Sequence, residues 1–221
     1  MKKLSFRTDK SRILFTADLH LGHNKDFILK PRGYATIQEA EDHTRKTLYD
    51  TLQPDDVLFN LGDAVIGAGD NSFRYATEIT NLPCRHQYFI WGNHNAGMQQ
   101  IYNDEMARLG LSTEDVELYP LTLPNGRFTF LGHYAEIYVD HQPVVLSHYP
   151  IASWNGMSKG GWMLHGHCHR NLKEDLTIHR LDVGWDWKRR PVPWEEIRRE
   201  LSPRSVKPVD HHSAESEFIT T

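Results

Sequence analysis

The chain is predicted to be α/β with a mixed sheet, on three observations. First, five short apolar runs each release Asp, Asn or His at their ends. They are residues 13–17 into Asp18 and His20, 57–61 into Asp63, 88–91 into Asn93 and His94, 144–147 into His148, and 162–164 toward His167 and His169. Second, helix-like segments separate the first three runs. Third, Asn125-Gly126 is a strong hairpin signal that opens a half rich in aromatic and β-branched residues. Apolar runs that end in polar ligands are how an α/β sheet delivers side chains to its carboxyl edge.

In order, residues 1–11 read as a polar lead-in or short edge strand, and 12–17 as the first core strand. The stretch 25–38 holds Lys30-Pro31-Arg32-Gly33 and is expected to be a long loop. Arg32 there is a solvated arginine or one that reaches a phosphate. Residues 39–51 read as a helix on Ala40 and Leu48, with Leu52 just beyond, and 57–61 as the second buried strand. Residues 72–81 and 97–109 are further helices around a third strand at 85–91, and Gly110 is placed to stop the last of them. Residues 116–123 are strand-like. With 127–139 and 142–147 they predict a second half that leans toward antiparallel hairpins.

Residues 150–161, rich in glycine and carrying Trp154, read as an exposed loop on the substrate side. Residues 177–183 form a late strand. The closing helix at 193–201 sets Trp194, Ile197 and Leu201 on one face. Periodicity is lost after residue 203, which predicts one domain over 1–203 and a disordered tail over 204–221.

Composition bounds the function. The formal net charge of −4 argues against constitutive nucleic-acid binding by bulk charge. Only Cys84 and Cys168 are present, so no disulfide framework is expected and a reducing cytoplasm fits. The basic N-terminus lacks the apolar region of a signal peptide. No run approaches the ~18–20 apolar residues of a membrane span. The oxygen and nitrogen ligands at the strand ends suit metals of the Mn, Fe and Zn group.

Taken together, Asp18-Leu19-His20, Gly62-Asp63, Gly92-Asn93-His94, His148 and Gly166-His167-Cys168-His169 resemble the five signature blocks of the calcineurin-like metallophosphoesterase superfamily. The stretches 18–23, 146–150 with Trp154, and 181–186 resemble a small bacterial and phage branch of it. The resemblance implies a four-layer αββα sandwich of mixed sheets flanked by helices. It also implies a dinuclear enzyme holding two divalent transition-metal ions, with Mn²⁺ the leading candidate and Fe, Zn or Ni the others.

In the roles so implied, Asp63 bridges the metals. Asp18, His20 and His169 complete the first site, and Asn93, His148 and His167 the second. Hydroxide between the metals would attack a phosphodiester or phosphomonoester, small or nucleotide-like, and His94 would protonate the leaving oxygen. Many relatives carry Asp or Glu after that histidine, where this chain has Asn95. His23, Asn24, Arg32 and Trp154 are candidate substrate contacts. The alternatives are a metal-binding module of low turnover, or a protein phosphatase or nuclease of the same superfamily. The protein phosphatase is disfavoured because Trp91 precedes Gly92 where that branch has Arg.

Overall fold

The computed structural model describes residues 4–67, 69–112, 120–173 and 175–204. The chain opens with β1 (Leu4–Phe6) and the fully buried β2 (Ile13–Thr16). A short helix, α1 (Asp26–Leu29), interrupts the stretch expected to be loop, and α2 (Ile37–Thr51) follows. Thr36 caps α2 by accepting the Glu39 N–H, while the Glu39 carboxylate accepts the Ala35 N–H. Strand and helix then alternate through β3 (Val57–Asn60), α3 (Asp70–Thr80), β4 (His86–Phe89) and α4 (Ala96–Leu109). Gly110 ends α4 in the left-handed region, at φ 67°, where glycine is favoured.

The second half holds β5 (Leu121–Thr122), β6 (Phe128–Phe130), β7 (Tyr134–Val139) and β8 (Gln142–Ser147). It continues with β9 (Trp162–His165), β10 (Arg180–Asp182), α5 (Trp185–Lys188), β11 (Val192–Pro193) and α6 (Trp194–Leu201). Of the strand expected over 116–123, residues 116–119 lie outside the described residues. So does the expected tail, apart from Arg204, whose guanidinium donates to the Arg180 carbonyl at 2.8 Å.

Two mixed sheets result. One has the order β11-β2-β3-β4-β6-β5, the other β1-β7-β8-β9-β10. The antiparallel lean expected of the second half is corrected. The hairpins β5–β6 and β7–β8 are antiparallel, but β6 joins β4 in parallel and β8, β9 and β10 run parallel to one another. The reason is connection length. Only Asp140 and His141 separate β7 from β8, whereas residues 148–161 and 166–179 are long enough for crossovers.

The sheets pack face to face with helices flanking them. Alternation along β2 sends Leu14 toward the helix side, where it shares a core with Leu48, Ile79 and Met98. Ile13 and Phe15 point into the sandwich, against Ile137, Leu146, Leu164 and Ile197. Residues 150–161 are not simply an exposed loop. Trp154 and Met157 are buried against Val145, Met163 and Ile178, covering an apolar outer face of the second sheet. Among the described residues, no helix is long and apolar enough to cross a membrane.

Candidate metal centre

The carboxyl ends of β2, β3 and β4 share one edge of the first sheet, and those of β8 and β9 share one edge of the second. Immediately past them the backbone leaves extended geometry. Asp18, His20, Asp63, His167 and His169 all adopt positive φ, between 48° and 70°. Each such non-glycine conformation costs about 1–3 kcal/mol and persists only where the surroundings hold it. Here the two nearest loops hold each other, since Asp18 N–H donates to Gly62 O and His20 N–H to Asp63 O, both at 3.0 Å. Glycine is required beside the carboxylates. A Cβ on Gly92 would stand 2.1 Å from Asp63 Oδ1, and one on Gly166 would stand 2.6 Å from Asp18 Oδ2.

Two groups of donor atoms result, each lying within 4.8 Å: Asp18, His20 and His169, and Asp18, Asp63 and His148. Asp63 faces both ways. Its Oδ2 lies 3.8 Å from His20 Nε2, and its Oδ1 lies 3.5 Å from His148 Nε2. Asn93 Oδ1 sits 3.0 Å from His148 Nε2 and 2.9 Å from His167 Nδ1, closing the second side.

This donor set fits divalent metal ions. His20 Nε2 is buried and has no hydrogen-bond partner. It stands 3.9 Å from Asp18 Oδ1 and 3.8 Å from Asp63 Oδ2. Those gaps are too long for hydrogen bonds and shorter than two metal–ligand bonds of about 2.0–2.2 Å end to end. His148 Nδ1 lies 2.8 Å from the Leu61 carbonyl, which can only accept. The proton therefore belongs on Nδ1, and Nε2 turns its lone pair to Asp63 and Asn93.

Electrostatics point the same way. Burial raises the Asp18 carboxyl well above its ordinary value; the His169 charge opposes this, and Asp182 and Asp63 reinforce it. Burial, then the charges of His169 and Arg32, holds His20 down to about 2, so it is a neutral imidazole. Burial likewise lowers His148. A carboxylate that is costly to ionise beside neutral imidazoles favours a bound cation.

Behind His169 stands a group the sequence reading did not assign. Asp186 accepts from His169 Nδ1 at 2.7 Å, which puts the ring proton on Nδ1 and leaves the other ring nitrogen a lone pair, in a residue grouped with Asp18 and His20. Burial opposes charge on His169, but the Asp186 hydrogen bond and the charges of Asp18 and Asp186 outweigh it and raise its pKa. Arg32 grips Asp186 through two bonds of 2.8 and 2.7 Å and donates to the carbonyls of Asp18 and Leu19. Asp186 lies in the block 181–186 noted above, and a carboxylate inside that block is the signal that could have found it.

Two candidate substrate contacts are corrected. Arg32 is 4% exposed and fully engaged, so it is neither solvated nor open to a phosphate. Trp154 is buried and donates its ring N–H to Gly161 O. His23 Nδ1 lies 3.1 Å from His20 Nδ1, which places it behind that residue, and Asn24 is exposed at the rim. His94 is exposed, donates its backbone N–H to Asp63 Oδ1, and has its ring 6.0 Å from that of His20. Asn95 does not orient it: its amide accepts from Gly92 N–H and donates to Gly92 O.

Residues 11–216 match the sequence model of the calcineurin-like phosphoesterases. The Gene 66 protein of Mycobacterium phage L5 is 28% identical over 85% of this chain and 92% of its own length. The Gene 66 protein of Mycobacterium phage D29 is also 28% identical, over 85% and 94% respectively. A crystal structure of AQ665 from Aquifex aeolicus, a protein of unknown function, superposes with a TM-score of 0.59 at 18% identity, covering 86% of this chain and 98% of that one. That likeness shows the fold.

Proposed function

The chain belongs to the calcineurin-like phosphoesterase family, and from that premise we propose that it hydrolyses phosphodiesters or phosphomonoesters at a centre of two divalent metals. The observation that carries the reading is Asp63, whose two oxygens face the His20 side and the His148 side separately. In this assignment Asp63 is shared by both metals. Asp18, His20 and His169 hold the first, and Asn93, His148 and His167 the second. Asp18 is near enough to both groups to add charge to each.

Bound there, the ions supply Lewis acidity toward phosphate oxygens and acidify water, with Mn²⁺ our first assignment. The remaining work falls to the chain. Asn93 offers a neutral oxygen, which limits the negative charge facing an anionic substrate. His94, fixed through its backbone to Asp63, is the proton donor for the leaving oxygen. Replacing it with Ala is expected to keep metal binding and cost roughly 10²–10⁴-fold in rate, most for alkyl leaving groups. Undiminished turnover of an alkyl phosphate by His94→Ala would contradict that role. A second reading, a metal-binding module of low turnover, rests on Asn95, whose amide is bonded to Gly92 and leaves His94 without an acidic partner there.

The test is hydrolysis of bis-p-nitrophenyl phosphate and p-nitrophenyl phosphate by protein stripped with chelator and titrated with Mn²⁺. Turnover that returns with metal and is missing from Asp63→Asn supports the esterase. The ratio of the two rates selects diesterase or monoesterase. Two bound metals without turnover favours the binding module.

A further inference from the structure

The sandwich is left open at the end of the sheets away from the donor set. β2 and β3 are buried along their whole length, but β4 alternates. Its buried residues, Gln87 and Phe89, face the helices, and the half-exposed ones, His86 and Tyr88, face the sandwich. The cover there is short. β1, whose Phe6 meets Tyr88, has three residues and lies at the edge of the second sheet. A cavity of about 450 Å³ remains between β1 and the starts of β2, β3 and β4. Small-molecule sites commonly have about 300–1,000 Å³.

The wall of this cavity is aromatic and its mouth is cationic. Tyr88 stacks on Phe59 at 5.0 Å, meets Phe6 edge-on at 5.3 Å, and lies 4.4 Å from the His86 ring. Arg7, Lys10 and Arg85 are exposed around it, and no carboxylate lines it among the described residues. Arg7 is already engaged. It donates to His141 Nε2 at 2.9 Å and lies 3.5 and 3.6 Å from the Asp9 and Asp140 carboxylates. Lys10 and Arg85 have no ion pair among the described residues, and Arg85 makes one long bond, 3.5 Å, to the Ser11 hydroxyl. The contrast is with Arg12, Arg45, Arg108 and Arg190, which each hold a carboxylate. Burial raises the Tyr88 phenol and the Arg85 charge opposes this, so the guanidinium is within electrostatic reach of the wall.

We propose that this cavity is a second ligand site, at the opposite end of the strands from the metal centre, and that it takes a planar ring carrying a phosphate, the chemistry of a nucleoside monophosphate. The ring packs on the wall of Tyr88, His86 and Phe6, which needs no hydrogen-bond readout. The phosphate meets Lys10 and Arg85 at the mouth, where the guanidinium fork matches its oxygens. Two open cations suit a dianion better than a single carboxylate. In a chain of net charge −4, cations left open beside an aromatic cavity give it a sign that the rest of the surface lacks. The inference does not depend on the phosphoesterase reading.

The test is calorimetric titration of chelator-stripped protein, whose donor set then has no metal to bind phosphate. The probes are adenosine 5′-monophosphate, adenosine, inorganic phosphate and benzoate. The monophosphate is expected to bind once per chain and roughly tenfold or more tighter than each of the others, which lack the phosphate, the ring or the second charge. Arg85→Glu and Lys10→Glu, both at exposed positions, are each expected to weaken it by roughly tenfold or more, and added salt to weaken it further. Circular dichroism checks that both variants are folded. Asp63→Asn, at the far end of β3, is expected to leave this affinity unchanged.

Absence of saturable binding of the monophosphate would overturn the site, as would an affinity that survives both charge reversals. Adenosine, inorganic phosphate or benzoate binding as tightly as the monophosphate would overturn the assigned ligand class. A loss in Asp63→Asn equal to that in Arg85→Glu would move the nucleotide to the donor set and so overturn the cavity as its place. None of these results bears on the phosphoesterase reading, which stands or falls on turnover of the Mn²⁺-loaded protein.

Discussion

The two edges of the same sheets treat their charges in opposite ways. At the amino edge, Asp56 sits just before β3 and is 1% exposed. It is fully answered: Arg12 Nε and Nη2 donate to it at 2.8 and 2.6 Å, and the Gln53 N–H at 2.7 Å. Asp140, in the β7–β8 turn, accepts from the Thr8 N–H at 3.0 Å and from its hydroxyl. At the carboxyl edge, Asp18 and Asp63 are equally buried, yet they face imidazole nitrogens at 3.5–3.9 Å without hydrogen bonds to them. Asp18, His20, Asp63, His167, His169 and Arg170 there hold positive φ, against Asp140 and His141 in the β7–β8 turn at the amino edge. The amino edge is built to stabilise the fold. The carboxyl edge spends stability on an arrangement that is complete only around cations.

Substitutions sharpen this contrast. The largest effect is expected from Asp63→Asn, which removes the shared charge. Activity should fall by roughly 10³-fold or more, since several kcal/mol of charge stabilisation is at stake, and bound metal should drop by elemental analysis. Stability of the metal-free protein should not fall with it. The mirror experiment is Asp56→Ala, which strands Arg12 and the Gln53 N–H. It should cost about 2–3 kcal/mol in urea unfolding and leave the proposed phosphoesterase kcat of the folded protein unchanged. Equal loss of activity in the two variants would break the division.

A smaller effect is expected from Asp186→Asn. His169 then loses the carboxylate that sets its tautomer, and affinity at one metal site should weaken about 10–100-fold, read by calorimetric titration. The site on the His148 side, oriented by the Leu61 carbonyl, should be spared. The smallest effect is the pH response of the metal-free protein. Asp18, raised by burial, contributes stability that is present at low pH and lost as pH rises through its folded value. Burial acts to raise Asp140 too, but the Thr8 hydrogen bonds outweigh it and lower the carboxyl, so its contribution is present above its unfolded pKa and lost as pH falls. Asp18→Asn should therefore flatten the neutral limb of a thermal-melting profile, and Asp140→Asn the acid limb. An exchange of these two limbs would contradict the assignment.

Much of the fold was legible because periodicity is local. The buried runs at β2, β3 and β4 and the face of α6 carrying Trp194, Ile197 and Leu201 follow from side-chain spacing alone. The polar residues that end those runs were legible too, since a strand must release its next side chains at the sheet edge. Strand direction in the second half was not, because a run such as 127–139 does not reveal that Gly132, at φ 91°, lets it change sheets. Nor does composition show that residues 150–161 must cover Val145 and Met163.

The sequence by itself determined the α/β alternation and which polar residues gather at one edge. Tertiary structure alone decided how they are held. Arg32 and Asp186 are 154 positions apart and bind only because α5 packs beside the first loop. Trp154 turns inward because an apolar face needs cover. His20 Nε2 and the two carboxylates keep their spacing because two strained loops bond to each other. Such contacts depend on chain segments brought together from a distance, and no local pattern encodes them.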